Sequence, residues 1–220
     1  MSPVVTPPRE YVALVDMGYI WRLATPSPAD RELTRRCGSA YTWGHFGKKV
    51  VSIISSRHTL ASHIICVNDV YTFDYTVKDD ERDRRANRFK NVPNIHIKSE
   101  DKFPSSTQFT SLLSNSSNKV RLQQLIEMKL KDYSIKHGIE IIHCTGLSAK
   151  NLFTSLNIDD YALSHAEADT ALFTIYNKLR ENGCAGTVVI DAEDTDIYVQ
   201  AAYVSQHVSG ELLIKNKNIC

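Results

Sequence analysis

Carboxylates recur where this sequence leaves its apolar runs. YVALVD ends on Asp16, and SHIICVNDV carries Asp69 near its end. The run VVID leads through Asp191 to Asp194 and Asp196, while Glu167 and Asp169 sit in HAEADTALF. Four separate segments thus supply acids. In an open α/β sheet, ligands collect beyond the carboxyl ends of the strands, and a helix N-terminus can face that rim. Carboxylates gathered there repel one another, and their pKa values rise. A cation relieves the repulsion, and oxygen-only ligands suit Mg²⁺ or Mn²⁺. Two such ions activate a water and stabilise the leaving oxygen in phosphodiester cleavage.

Each acid also has a plain structural use. Asp16 and Asp69 can serve as turn or cap residues. Glu167 and Asp169 can decorate a helix N-terminus, and residues two apart do not face each other within a helix. A D-x-D after a strand is often a turn plus a cap. The ordered set of four strand-edge positions, rather than any one acid, points to a cation.

A basic set accompanies the acids. Residues 78–90 hold six basic and four acidic side chains. Lys78, Arg82 and Arg85 share one face of a helix by spacing, with Arg84 and Arg88 on an adjoining face. Interleaved with Asp79, Asp80, Glu81 and Asp83, they make either a solvated, salt-bridged helix or a grip for phosphate. Tyr19 and Trp21, just after Asp16, could stack on a base, although buried packing is the commoner use of such rings.

The elements that must position these groups follow from periodicity. Strands are expected over 11–16, 62–70, 139–146, 186–191 and 211–216, each a mostly apolar run. Helices are expected over 26–36, 41–57, 78–90, 118–138 and 165–183, with a short one from 196. Gly138 and Gly183 stand as C-terminal stops, and 103–118, rich in Ser, Asn and Thr, reads as a loop. Alternation of apolar strands with helices predicts an α/β fold: a central, mostly parallel sheet flanked by helices on both faces.

The chain has 220 residues, 42% of them hydrophobic and 23% charged, an ordinary globular composition that excludes collagen and a mostly disordered chain. No apolar stretch reaches the ~18 residues of a membrane helix. Residues 1–9 hold three prolines and read as a leader, not a signal peptide. The five cysteines form no C-x-x-C pair, which argues against structural zinc or a disulfide framework and for an intracellular compartment, nuclear and cytoplasmic being indistinguishable. A formal net charge of +1 excludes a uniformly basic nucleic-acid binder.

Taken in order, HAEADT (165–170) and VVIDAEDTDIYV (188–199) resemble the PIN-like nuclease superfamily in its flap-endonuclease-like branch. The likeness extends to uncharacterised PIN-like proteins with E-E-A-D-T and D-T-D strings. YVALVDMGY resembles the first-strand aspartate of that branch. IICVNDVYTFDYTVKDDERDRR resembles its second strand end, followed by a lysine and a run of arginines. The resemblance covers about residues 10–216. It implies a single nuclease domain over 10–220, with an arch-like insertion or loop around 71–118. It implies metal ligands at Asp16, Asp69, Glu167, Asp169, Asp194 and Asp196, with Mg²⁺ or Mn²⁺, two ions, as cofactor. Asp74 rivals Asp69 for the second-strand slot, and Asp191 is accessory. Lys78 and Arg85 match the pair that clamps the scissile phosphate, so both join the acids as catalytic residues. Arg82, Arg84 and Arg88 would join these two in binding DNA or RNA.

Two departures limit the resemblance. Asn68 stands where an apolar residue is usual. The glycine-rich hairpin that grips duplex backbone has no counterpart, since only Gly210 follows Gly186. Either the chain is part of a longer protein or it lacks that grip, so flap specificity is not implied. The expectation is a metal-dependent nuclease, the alternative a weak or inactive nucleic-acid-binding or scaffold module of the same fold. A phosphatase using D-x-D after the first strand fits less well, because VDMGY has Gly18 at the second place.

Overall fold

The computed structural model describes residues 11–70, 92–146, 148–162 and 167–215. The leader, Asp74, Lys78, Arg82, Arg84, Arg85 and Arg88 lie outside the described residues. Six strands form one sheet: β1 (Tyr11–Asp16), β2 (Ala61–Val67), β3 (Glu140–Cys144), β4 (Ala149–Asn151), β5 (Thr187–Asp191) and β6 (Leu212–Lys215). Their spatial order is β4-β3-β2-β1-β5-β6, with every pairing parallel except β3 with β4.

Parallel neighbours cannot be joined by a tight turn, so helical segments connect them. Between β1 and β2 lie α1 (Met17–Ala24), α2 (Pro28–Arg36) and α3 (Trp43–Arg57). Between β2 and β3 lie α4 (Ser106–Leu112) and α5 (Ser116–His137). Helix α6 (Ala168–Glu181) precedes β5, and α7 (Thr195–His207) links β5 to β6. Among the described residues, no helix is long and apolar enough to cross a membrane.

Strand residues alternate between two apolar clusters, as period-2 geometry requires. Ala13, Val15, Ile64, Cys66 and Val189 pack with residues of α1, α3 and α5. Leu14, Ile65, Val67, Val188 and Ile190 pack with residues of α6 and α7. Gly138 ends α5 in the left-handed region at φ 63°, which places the chain for β3.

The stretch 103–118 is not a loop throughout. Ser105 caps α4, its hydroxyl accepting from the Gln108 N–H while the Gln108 side chain reaches back to Ser105. Phe103 and Phe109 then close on Trp43, with ring centroids 4.6 and 6.0 Å away. Two buried rings in a polar stretch are too few to show periodicity, yet they suffice to dock a short helix. Two further elements had no strong signal. Helix α1 follows β1 with no intervening turn, and β4 has three residues.

Candidate acidic site at the carboxyl edge of the sheet

Asp16 is both the last residue of β1 and the N-cap of α1, its Oδ1 accepting from the Gly18 N–H at 2.8 Å. Glycine permits this fold-back, since a Cβ at position 18 would lie 3.2 Å from that oxygen. The residue is 8% exposed. Burial pushes its pKa up to about 6, helped by the negative charges of Asp69 and Asp169 and opposed by the Tyr19 backbone amide and Arg22. Three of the expected residues are therefore one electrostatic group.

Asp69 lies beyond the end of β2, whose last residue, Val67, pairs with Asp16. Its Oδ1 accepts from the Ala168 N–H at 3.0 Å, and its backbone carbonyl accepts from Gln123 Nε2 at 3.1 Å. Glu167 is the N-cap of α6 by backbone conformation but makes no side-chain cap bond. Asp69 therefore fills that role from another part of the chain, where a negative charge is favoured by the helix dipole. Asp169 lies in the first turn of the same helix.

Asp194 and Asp196 sit past β5, on the other side of β1 from Asp69. Both are exposed, and Asp194 Oδ1 caps α7 by accepting from the Asp196 N–H at 3.2 Å. Among the described residues, no three His, Cys, Asp or Glu side chains gather closely enough to hold a metal ion. Oxygen donors are the type a hard cation takes, but Asp16, Asp69 and Asp169 are linked here by charge rather than gathered as a ligand set. Asp194 and Asp196 do not figure among the main influences on Asp16.

Asp191 has a different role from its neighbours. It is fully buried, gripped by Arg57 (Nε to Oδ2, 2.7 Å; Nη2 to Oδ1, 2.5 Å) and by His58 Nε2 at 2.8 Å. The carboxylate accepts from Nε2–H, so His58 Nδ1 accepts from the Tyr11 hydroxyl at 3.2 Å. This network joins the end of α3 to β1 and β5. Tyr19 and Trp21 are buried in the core, as their ordinary packing use requires.

A hollow of about 240 Å³ opens between the start of α3 and Ser99–Glu100, beside His45, Lys48 and Lys129. It contains none of the six acids. The α3 amides there are already taken: Trp43 N–H by the Asp101 carbonyl, Gly44 N–H by Ser99, and His45 N–H by Thr42 Oγ1.

Sequence reasoning passed over Arg22 and His143, and marked Asn68 only as a polar residue at a usually apolar position. Arg22 is an exposed cation whose charge reaches Asp16, and its Nη2 stands 4.0 Å from Glu193. His143 interrupts the apolar run of β3, and Asn68 is a buried amide next to Asp69. Both were visible as polar residues in apolar surroundings. No protein-family model, curated protein or solved structure matches the chain.

Proposed function

We propose that this chain is a PIN-like, divalent-metal-dependent nuclease, its sheet covered by helices on both faces. The observation that supports this reading is that Asp69 and Asp169 add their negative charge to burial in raising the pKa of Asp16 at the carboxyl edge. The two apolar clusters, each pairing alternate strand residues with different helices, support the layered arrangement.

In this reading Asp16, Asp69 and Asp169 hold Mg²⁺ or Mn²⁺, with Glu167, Asp194 and Asp196 completing the set around DNA or RNA. The ions, when bound, supply an activated water and stabilise the charge on the leaving oxygen. Asp16 must be ionised to contribute, and a cation beside it favours that form. Lys78 and Arg85 engage the phosphate, with Arg82, Arg84 and Arg88 tracking the backbone. Arg22 adds a cation next to Asp16.

A second reading is a weak or inactive module that binds nucleic acid or serves as a scaffold. The exposed Asp194–Asp196 turn favours it, since Asp194 is already used as a helix cap. Digestion of labelled single-strand, duplex, flap and RNA oligonucleotides with Mg²⁺ or Mn²⁺ separates the two. Metal-dependent cleavage that is lost in Asp16→Asn supports the nuclease; binding without cleavage under any metal supports the module.

A further inference from the structure

Asp69 lies outside the regular sheet, because the β2 ladder ends at Val67. Both of its neighbours are anchored to the segment that leaves β3. Asn68, 4% exposed, donates its backbone N–H to the Cys144 carbonyl at 3.0 Å. Its side-chain Nδ2 reaches the same carbonyl at 3.1 Å and His143 Nε2 at 2.9 Å. Val70, 2% exposed, packs on Gly146, whose φ is +90°. A Cβ at position 146 would stand 2.8 Å from Val70 Cγ1 and closer still to Cγ2.

The orientation of the Asn68 amide follows from its partners. A carbonyl only accepts, so the amide must turn its nitrogen towards Cys144. The second amide hydrogen then points at His143 Nε2, which accepts and leaves the ring proton on Nδ1. Nδ1 lies 3.3 Å from Glu127 Oε2 on α5, and Lys150 of β4 stands 3.9 Å from the other Glu127 oxygen. The chain Glu127–His143–Asn68 therefore has one direction of donation. Turning the amide over would set its oxygen against the Cys144 carbonyl.

This arrangement carries a cost. Asn68 Oδ1 is buried with no hydrogen-bond partner among the described residues. An apolar side chain at 68 would leave no such orphan, so core packing alone does not account for an asparagine there.

We propose that Asn68 is a positioning residue for Asp69, held in its working orientation by His143 and Glu127. Its use in function rests on the acidic centre proposed above. The relay fixes the backbone on one side of Asp69 and Val70 fixes the other. Gln123 holds the intervening carbonyl, so the carboxylate meets Ala168 without an ordering cost at each binding event.

The test is amide hydrogen exchange on the ¹⁵N-labelled full chain in chelator, followed by Mn²⁺ titration. The variants are Asn68→Leu, Glu127→Leu and Glu127→Gln. Glu127 is 31% exposed at its side chain, so its replacement tests the relay even where Asn68→Leu fails to fold. The Ala168 amide reports the Asp69 contact independently of metal, while Leu14 and Ile190 report the sheet. The expected result is Ala168 exchange faster by about tenfold or more in both leucine variants, with the sheet amides within about threefold of the parent. Glu127→Gln, which still offers an acceptor to Nδ1–H, restores parent behaviour, and Mn²⁺ affinity follows Ala168 protection. Unchanged Ala168 exchange, or equal acceleration at all three amides, overturns the proposal. A parent that takes up no Mn²⁺ while Ala168 still responds overturns the metal reading and leaves the positioning role standing.

Discussion

Asp69 Oδ1 accepts the N–H of Ala168 at 3.0 Å, a contact between residues 99 apart in sequence. It stitches the end of β2 to the start of α6, so two segments expected to carry ligands hold one another in place. Glu167, the residue at the cap position, leaves this role to Asp69. The same bond explains how Asp169, one residue further on, comes within electrostatic reach of Asp16.

Asp69→Asn keeps an oxygen for Ala168 but removes the charge. Melting temperature is expected to change little and Mn²⁺ affinity to fall. Asp69→Leu removes the cap as well and is expected to cost about 1–2 kcal/mol of stability. Thermal melts and calorimetric metal titration of both variants measure the two effects. Equal metal affinity in the parent and Asp69→Asn would exclude Asp69 as a ligand.

Asp16 gives a pH signature. Its pKa is pushed up to about 6 from 3.8, so the folded protein holds this proton more tightly than the unfolded chain. Between those values folding is favoured as pH falls, and above about 6 the buried charge counts fully against the folded state. Asp16→Asn retains an acceptor for the Gly18 N–H and removes that charge. It is expected to be more stable than the parent by about 2–3 kcal/mol at pH 7.5, with the advantage shrinking towards pH 4. Urea unfolding at both pH values checks this. Saturating Mn²⁺ should narrow the gap at pH 7.5 by stabilising only the parent; a gap indifferent to both pH and metal would show that Asp16 carries no such strain.

Most strands, β4 excepted, and most helices were legible because apolar runs and helical spacing extend over several residues. The acids at the carboxyl edge were legible for the same reason, since strand ends mark that edge. Local pattern does not show which side chains meet. Asp191 lies in the same D-A-E-D-T-D string as Asp194, yet it turns inward to Arg57 and His58, residues more than a hundred positions earlier. The link from Asn68 to His143 spans 75 residues and likewise leaves no periodic trace. Helix α4 was missed because its N-cap and its two anchoring rings each act at a single position.

Asp191 should behave in the opposite sense to Asp16. Burial raises its pKa, but hydrogen bonds from His58 and Arg57 outweigh that and hold it below the usual carboxylate value. Its contribution to stability is therefore present above the ordinary Asp range and is lost as pH falls through the depressed folded value. Asp191→Ala deprives the part-buried Arg57 guanidinium and the buried, neutral His58 Nε2–H of their shared acceptor, and a loss of about 3–5 kcal/mol is expected. The loss should be the same with and without Mn²⁺. A melting temperature within a degree or two of the parent's would refute the structural role.

Asp194→Asn separates the nuclease from the silent module. Asp194 is exposed and caps α7, and asparagine is an equally good N-cap, so stability is expected to stay within about 0.5 kcal/mol of the parent. If Asp194 approaches a bound cation, loss of its charge weakens metal binding and cuts cleavage sharply, because an amide is a poorer ligand for a hard ion. The module predicts a parent that never cleaves and nucleic-acid binding indifferent to the change. A buried structural role would instead lower the melting temperature in chelator and in Mn²⁺ alike, an outcome the exposed position argues against. Cleavage and melting temperature of the parent and Asp194→Asn, each with and without Mn²⁺, distinguish these patterns. The expected pattern is lost cleavage with an unchanged melt in chelator and a reduced Mn²⁺-induced rise; a parent that neither cleaves nor shifts its melt with Mn²⁺ would falsify the nuclease assignment.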